Sequence, residues 1–342
     1  MRVLVIRLGS MGDVILSTPV VSAIRKASPD AIVDFIVKKE YCCILEGNPN
    51  IDRVIPFDSK GANKGLKGLL CMVHALKRGK PSYTHVIDLH GNLRSRIISS
   101  LLSGAKTFRY DKQAIKRRMR LFGVKSNIKH TVEAYMTALE QAGLISGNPE
   151  LLPLIEISGE EEGKSKRLIN KLDLTGKSTL IGLAPGAMWP TKMWLKDRFV
   201  EVGNKAVEEL NASVIVFGGP EDKSLCEYVA GNIRSRVLSV AGNSSVRETA
   251  ALIKRCDILL SNDSGPMHIA SAVGTPVVAV FGPTVRDFGF SPLGKSSVVE
   301  TNLPCRPCSL HGSNECPKGH FKCMKDVEAL MVFDEMKSIL EM

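Results

Sequence analysis

The chain has 342 residues, of which 44% are hydrophobic and 24% charged, and its formal net charge is +11. This composition excludes a disordered chain, and no stretch approaches the roughly 18 uninterrupted apolar residues of a membrane span. Arg7 and Asp13 interrupt the first apolar run, which argues against a signal peptide. We therefore expect a cytoplasmic protein, and a chain of this length favours two domains.

Short apolar runs alternate with helix-length segments in the first half of the chain. This alternation is typical of parallel α/β units. The predicted strands span residues 2–7, 31–37, 53–57 and 85–89, and the predicted helices span residues 14–28 and 68–80.

The second half repeats the alternation, and residues 156–178 between the halves are polar and charged, which predicts a boundary there. We expect an N-terminal domain over 1–160, a C-terminal domain over 161–325, and a helix in 326–342 that packs back toward the N-terminal domain. The predicted strands are 179–186, 213–219, 236–242, 257–263 and 276–282, and the predicted helices are 194–210, 244–255, 265–274 and 326–340.

The first predicted strand runs into RLGSMGDVILSTP, residues 7–19. Two glycines between a strand and a helix are typical of a loop that binds phosphate. Asp13, however, puts a negative charge where an anion would bind. A helix N-cap is the alternative role for this carboxylate, and spacing does not separate the two.

Polar residues follow three predicted strands of the second half, where open parallel sheets bind ligands. NDSGPMHIA places Asp263, Ser264 and Gly265 at one strand end, with His268 on the next helical turn. Lys192 and Glu221 follow two other strands and suit a diphosphate and a ribose, respectively. Taken singly, the aspartate or serine could be an ordinary helix cap and the lysine a surface residue.

Three segments resemble the ADP-heptose:lipopolysaccharide heptosyltransferases of glycosyltransferase family 9. They are RLGSMGDVILSTPVV, WPTKMW and NDSGPMHIASAVGTPVVAVFGPT, and they occur in the family's order over essentially the whole chain. The resemblance implies the GT-B fold, with two doubly wound Rossmann-like domains facing across a cleft. It also implies an inverting transfer of heptose from ADP-heptose to the inner core of lipopolysaccharide, on Kdo-lipid A or heptosyl-Kdo-lipid A.

The resemblance also implies roles for particular residues. Asp13 corresponds to the general base, and Gly12 lies beside it in the substrate-binding loop. The donor-binding positions are Lys192 for the diphosphate, Glu221 for the ribose, and Asp263, Ser264, Gly265 and His268. An inverting transfer requires one base and a stabilised leaving group. No Asp-x-Asp occurs in the chain, so we expect neither a metal nor another cofactor.

The first 160 residues carry +10 of the net charge, and residues 105–130 hold nine Lys or Arg against one acid. Such a segment suits a polyanion, or it is simply a solvated surface. With 5% aromatic residues and no groove-reading motif, nucleic acid is not expected. The resemblance instead indicates a lipid A acceptor, and hence peripheral contact with the inner face of the cytoplasmic membrane. The candidate acceptor-binding residues are Arg94, Arg96, Arg117, Arg118 and Arg120.

Cys305, Cys308, Cys316 and Cys323 form a C-x2-C-x7-C-x6-C pattern with two interleaved histidines. These ligand types suit Zn²⁺, but the spacing is not that of a standard zinc finger. Free thiols in a folded loop are the favoured interpretation, and a metal site or disulfides are the alternatives.

Two other functions fit the same residues. A related glycosyltransferase with a different nucleotide sugar would use the same motifs, because the sugar pocket is not evident in the sequence. A non-catalytic protein that binds a nucleotide sugar or an anionic lipid is the alternative outside the enzymes. The presence of both Asp13 and Lys192 argues against it.

Overall fold

The computed structural model describes residues 1–171, 179–234 and 237–341. These residues form two compact units. The first contains residues 1–114 and 129–156, and the second contains residues 115–128 and the described part of 157–342.

The first unit is built on a parallel sheet whose strands follow the order β3-β2-β1-β4-β5. The central strand β1 is entirely buried, and Val3 lies opposite Val33 on one neighbour and His85 on the other. An apolar run buried on both faces is what a central parallel strand requires. The strands are β1 Arg2–Ile6, β2 Ile32–Lys38, β3 Arg53–Phe57, β4 His85–Asp88 and β5 Lys106–Arg109.

Helices connect these strands, and their apolar sides complete the core around residues such as Leu4, Ile36 and Phe57. They are α1 Met11–Ile15, α2 Thr18–Ala27, α3 Cys42–Leu45, α4 Gly65–Arg78, α5 Leu93–Leu101 and α7 Thr131–Ala142. Helix α6, Ala114–Leu121, lies between β5 and α7 in the chain and has no buried residue. A 3-10 turn, Lys39–Tyr41, precedes α3.

The second unit contains a parallel sheet of order β11-β10-β9-β6-β7-β8. Strands β6, β9 and β10 are buried throughout, and Leu183 of β6 lies opposite Leu260 of β9. The strands are β6 Leu180–Ala184, β7 Ser213–Val216, β8 Val237–Ser239, β9 Ile258–Asn262, β10 Val277–Phe281 and β11 Ser296–Glu300.

The helices of the second unit bury an extensive apolar core against this sheet. They are α8 Gly159–Lys171, α9 Lys196–Leu210, α10 Lys223–Asn232, α11 Val246–Ile253, α12 Gly265–Val273, α13 Lys322–Lys325 and α14 Ala329–Glu341. Short 3-10 turns are Pro190–Lys192, Pro220–Asp222 and Arg286–Phe288. No helix in the described part of the chain is long and apolar enough to cross a membrane.

The two units divide the chain after residue 156, at the start of the expected boundary segment, and differ from the expected domains in one respect. Residues 115–128 group with the second unit, although we expected them in the N-terminal domain. Most of the expected boundary segment is helix α8, which packs on α11. The rest of that segment, residues 172–178, lies outside the described residues. So does Arg236, the first residue of a predicted strand. The expected C-terminal helix is α14, and it buries its apolar face on β9 to β11 of the second unit. Residue 342 lies outside the described residues.

Candidate active site

Each sheet has a point at its carboxyl edge where the strand order reverses. In the first unit this point lies between β1 and β4, and in the second between β9 and β6. The connections from the two neighbouring strands run in opposite directions, so a crevice opens there, and open α/β sheets bind ligands at this place. Asp13 follows β1, and Lys192 and Asp263 follow β6 and β9, whereas the predicted Arg117, Arg118 and Arg120 lie on helix α6.

Asp13 lies on the first turn after β1. Its Oδ2 accepts hydrogen bonds from the Ser10 backbone N–H at 3.1 Å and from the Ser10 hydroxyl at 2.8 Å. The Arg7 guanidinium lies 2.6 Å from the same oxygen. Asp13 therefore caps α1 through a capping box, with Gly12 beside it on the same turn. The carboxylate keeps 19% of its surface exposed, so it is both a cap and accessible.

The surroundings of Asp13 keep it ionised. Burial by itself would raise its pKa, but the Arg7 guanidinium and the hydrogen bonds from Ser10 outweigh burial and hold the pKa below its ordinary value. An ionised carboxylate with one exposed side can accept a proton from a hydroxyl group placed against it. The site therefore has the chemistry of a general base.

Arg7 was not among the predicted site residues, and it organises this edge of the sheet. It is only 6% exposed, donates to the Leu89 carbonyl oxygen, and lies 5.6 Å from the centre of the Tyr135 ring. A charge is almost never buried without a partner. An arginine directly after a buried strand was therefore a hint of a nearby carboxylate, although the same sequence pattern is equally compatible with a surface position.

A second group of basic side chains lies at the end of β4. Burial first, then the charges of Arg7 and Lys112, lower the pKa of His90 to about 4, so its ring is neutral at pH 7. Burial, Arg7 and Arg96 also lower the pKa of Lys112. Asp88 offsets these shifts only in part, and its carboxylate also accepts hydrogen bonds from the loop amides of His90 and Gly91 and from Ser95 and Arg109. This edge of the first unit is consequently a favourable place for an anion.

The five candidate acceptor arginines separate into two groups. Arg94 and Arg96 are exposed on the first turn of α5, directly after the end of β4. Arg117 and Arg120 instead bind the second unit: the first donates to the Phe288 carbonyl oxygen at 3.1 Å, and the second pairs with Asp287 at 3.3 Å. Arg118 is exposed on the same helix. We expected Arg117, Arg118 and Arg120 in the N-terminal domain, whereas the structure groups these three arginines with the second unit.

In the second unit, the predicted lysine and aspartate meet. Lys192 Nζ lies 2.6 Å from Asp263 Oδ2, and the Thr284 hydroxyl donates to the same oxygen at 2.6 Å. Both partners are largely buried, and they follow the adjacent strands β6 and β9. Asp263 thus fixes the lysine ammonium at the carboxyl edge of the sheet.

Asn262 joins the two loops that carry this pair. Its side-chain oxygen accepts from the Trp194 N–H at 3.0 Å, and its side-chain nitrogen donates to the Pro185 carbonyl at 2.8 Å. It is fully buried, so both hydrogen bonds satisfy polar groups that have no access to solvent.

Ser264, Gly265 and His268 surround the start of α12. Ser264 is the N-cap residue, Gly265 is the first helical residue, and His268 lies on the first turn and is 7% exposed. The start of this nine-residue helix presents backbone amides beside the Lys192 ammonium. Helix N-terminal amides and a cation together suit phosphate oxygens.

The two acidic residues after β7 have different surroundings. Asp222 accepts from the Gly219 N–H at 3.1 Å and packs so tightly on Gly186 that a Cβ there would lie 2.3 Å from its carboxyl carbon. Glu221 is exposed at the same strand end. Asp222 therefore shapes the loops, whereas the Glu221 carboxylate is exposed to solvent.

The comparisons with known proteins agree with this geometry. Residues 72–319 match the model of glycosyltransferase family 9 (heptosyltransferase). The chain belongs to glycosyltransferase family 9. It is an enzyme of the heptosyltransferase type, as the resemblance implied.

Relatives of this family 9 enzyme match over most of their length. Lipopolysaccharide heptosyltransferase 1 of Campylobacter coli is 26% identical over 83% of this chain and 84% of its own. A glycosyl transferase family 9 structure from Veillonella parvula has a TM-score of 0.84 at 25% identity, covering 99% of this chain and 97% of its own. The E. coli ADP-heptose lps heptosyltransferase II structure has a TM-score of 0.75 at 21% identity, covering 100% and 99%. The GT-B fold with two parallel sheets is thereby confirmed.

The cysteine-rich segment, residues 305–323, packs against the loop that carries Lys192. The sequence did not predict this contact. Thr191 and Ser313 exchange three hydrogen bonds of 2.8 to 3.2 Å, and Thr191 is buried. Gly312 has a φ of +96°, and a Cβ there would lie 2.7 Å from Trp189 Cβ and 3.0 Å from Lys192 Cδ. The backbone of the segment therefore lies directly against the loop that carries the lysine.

The predicted zinc candidates of the enzyme do not assemble into a metal site here. Cys305, Cys308, Cys316 and Cys323 are free thiols, and Cys305 Sγ lies 3.8 Å from His320 Nε2. In the described residues, no three His, Cys, Asp or Glu side chains form a group that could hold a metal ion. We therefore derive no chemistry from a metal at these cysteines.

Proposed function

We propose that this enzyme transfers a heptose from ADP-heptose to the inner core of lipopolysaccharide, on Kdo-lipid A or heptosyl-Kdo-lipid A, with inversion at the anomeric carbon. The names of its relatives support this substrate class, since one is a lipopolysaccharide heptosyltransferase and another is named for ADP-heptose. The observation that carries the mechanism is the ionised, accessible Asp13 carboxylate at the carboxyl edge of the first sheet.

In the proposed reaction, Asp13 removes the proton from the acceptor hydroxyl as its oxygen attacks the anomeric carbon of the donor. The bond from that carbon to the diphosphate breaks at the same time, and ADP leaves with the electron pair. A single displacement from the opposite face inverts the anomeric centre and requires no covalent intermediate. Arg7 and Ser10 orient the base and keep it ionised.

The second unit binds the donor in this proposal. Lys192 and the amides at the start of α12 stabilise the charge that develops on the diphosphate, while Glu221 accepts from the ribose hydroxyls. Asp263 holds the lysine in place, and His268 lies on the same helical turn as these amides. Since a cation and amides would hold the diphosphate in this proposal, and the sequence has no Asp-x-Asp, we propose that the transfer is independent of metal.

The first unit binds the acceptor in this proposal. Arg94, Arg96 and Lys112, at or near the loop that follows β4, suit the phosphate and carboxylate groups of the inner core and lipid A. Because that acceptor is a lipid, we propose that the enzyme works at the inner face of the cytoplasmic membrane.

A matrix of donors and acceptors tests the proposal. The purified enzyme would receive ADP-heptose, ADP-glucose or UDP-glucose, each with Kdo-lipid A or heptosyl-Kdo-lipid A, with and without EDTA. We expect a heptosylated product by mass spectrometry only with ADP-heptose, an inverted anomeric configuration by NMR, and no effect of EDTA. Preferential use of another nucleotide sugar, retention of configuration, or loss of activity with EDTA that Mg²⁺ restores would each refute the corresponding part.

A further inference from the structure

Residues 115–128 belong to the second unit, whereas the chain on both sides of this segment belongs to the first. Gln113 and Lys129, at its two ends, exchange side-chain to backbone hydrogen bonds of 2.8 and 3.0 Å, and Gln113 is buried. Within the segment, Lys116 Nζ donates to the Asn127 carbonyl at 3.1 Å. These hydrogen bonds therefore give the segment 115–128 a defined conformation.

One face of its helix α6 is fixed to the second unit. Arg117 donates to the Phe288 carbonyl and lies 4.5 Å from the centre of the Phe290 ring, and Arg120 pairs with Asp287. These two arginines are three residues apart and so share a helical face. The opposite face must therefore point away from this attachment.

That opposite face is apolar and exposed. Ile115, Met119 and Phe122 follow one another at intervals of four and three residues, and the Phe122 N–H continues the turn by donating to the Met119 carbonyl. Ile115 is 76% and Phe122 84% exposed, and Val124 is also exposed. Apolar side chains repeated along one helical face in water are typical of an interaction surface rather than of chance exposure.

Basic residues flank this stripe on both sides. Lys116 and Arg118 are exposed on the helix, and Lys125 is exposed just beyond it. No acidic residue occurs between Asp111 and Glu133. Apolar side chains bordered by Lys and Arg, with no acid among them, match a leaflet of anionic lipids, in which the chains enter the acyl boundary and the cations meet the headgroups.

We propose that residues 115–125 are an in-plane membrane anchor, which inserts Ile115, Met119 and Phe122 into an anionic leaflet. The proposal rests on the proposed function, which puts the acceptor in a membrane, and it adds the element that makes the contact. Charge favours a lipid surface over a second copy of this chain, because two copies of so basic a segment would repel each other.

Vesicle flotation tests the anchor directly. The full-length protein would be mixed with phosphatidylcholine vesicles containing no or about a third phosphatidylglycerol, at low and high salt. We expect binding to the anionic vesicles that weakens with salt. The double variant Ile115→Ser/Phe122→Ser should bind about ten- to a hundredfold more weakly, and Lys116→Gln/Lys125→Gln roughly tenfold more weakly.

Leu66→Ser is the matched control, because Leu66 is 62% exposed on a different helix. It should bind like the wild type, and circular dichroism should show each variant folded. Equal vesicle binding by the double serine variant and the wild type would overturn the proposal. So would a concentration-dependent dimer, seen by sedimentation, that the double variant abolishes while vesicle binding is absent.

Activity separates this proposal from the proposed function. With a delipidated, water-soluble inner-core acceptor, the Ile115→Ser/Phe122→Ser variant should keep wild-type turnover, whereas with acceptor embedded in anionic vesicles its apparent KM should rise about tenfold or more. An equal loss on both acceptors would overturn the anchor. Failure of every form, including wild type, to transfer heptose would refute the function but leave the vesicle result to decide the anchor.

Discussion

At the scale of single residues, Asp13 is the N3 residue of a capping box whose N-cap is Ser10, and this position is compatible with its proposed role as a base. The carboxylate caps α1 through Ser10 and also remains accessible beside Arg7. The sequence predicted the carboxylate but not Arg7, because an arginine at the end of an apolar run is equally compatible with a surface position. The contact between Lys192 and Asp263 could not be predicted either, since they are 71 positions apart and only the strand order brings them together.

The pKa of Asp13 predicts how activity depends on pH. A base works only when ionised, so a lowered pKa extends activity to lower pH. Removing the cation with Arg7→Gln leaves only the Ser10 hydrogen bonds to oppose burial and raises that pKa. We therefore expect the acidic limb of the kcat/KM profile to move to higher pH.

Arg2→Gln is the control for this experiment. Arg2 starts the same strand, is equally buried at 6% exposure, and pairs with Asp34 at 2.7 Å. Its substitution should lower stability without moving the acidic limb. A limb unchanged in Arg7→Gln, or shifted equally in both variants, would contradict the role of Arg7.

At the scale of elements, the buried central strands follow directly from their apolar runs, whereas the edge strands β5 and β11 do not. Strands β5 and β11 are only partly buried and contain polar residues such as Lys106, Arg109 and Ser296. Their pattern therefore resembles that of a loop. Helix α8 lies in the segment predicted to hold the domain boundary, and its helical structure was not predicted because it is strongly charged; it is held by an ion pair between Glu161 and Arg247 that sequence spacing does not reveal.

The cysteine-rich segment gives an element-scale prediction. Gly312→Ala forces a Cβ against Trp189 and Lys192 and imposes a φ that alanine disfavours. The lysine loop must then shift, so we expect the KM for ADP-heptose to rise about tenfold, a loss of about 1.4 kcal/mol of donor binding, with a smaller change in kcat. Lys192→Met should change the donor KM in the same direction.

Gly319→Ala is the matched control in steady-state kinetics. Gly319 has a similar φ of +70° in the same segment, but a Cβ there meets nothing within 4 Å. The Gly319→Ala variant should therefore introduce the strain of a positive φ but no steric clash, and its donor KM should stay near the wild-type value. Equal donor KM values for the two glycine variants would show that the segment does not position Lys192.

At the scale of the whole molecule, the two halves of the chain have distinct chemistry. The first unit carries the Asp13 carboxylate and the basic side chains near the end of β4, and the second carries the lysine, the helix amides and the exposed glutamate. Two doubly wound sheets were predictable because the same strand-helix alternation occurs twice. The transfer of 115–128 to the second unit was not, because it depends on contacts of Arg117 and Arg120 with residues nearly 170 positions away.

The Asp13→Asn variant tests the central claim most directly. The amide oxygen can still accept from Ser10, so α1 should keep its cap, while the basicity of the carboxylate is lost. We predict that heptosyl transfer measured in a single turnover falls about 10²- to 10⁴-fold, while the Kd for ADP-heptose, measured by calorimetry, stays within about twofold of wild type. Near-normal transfer by the variant would contradict Asp13 as the general base.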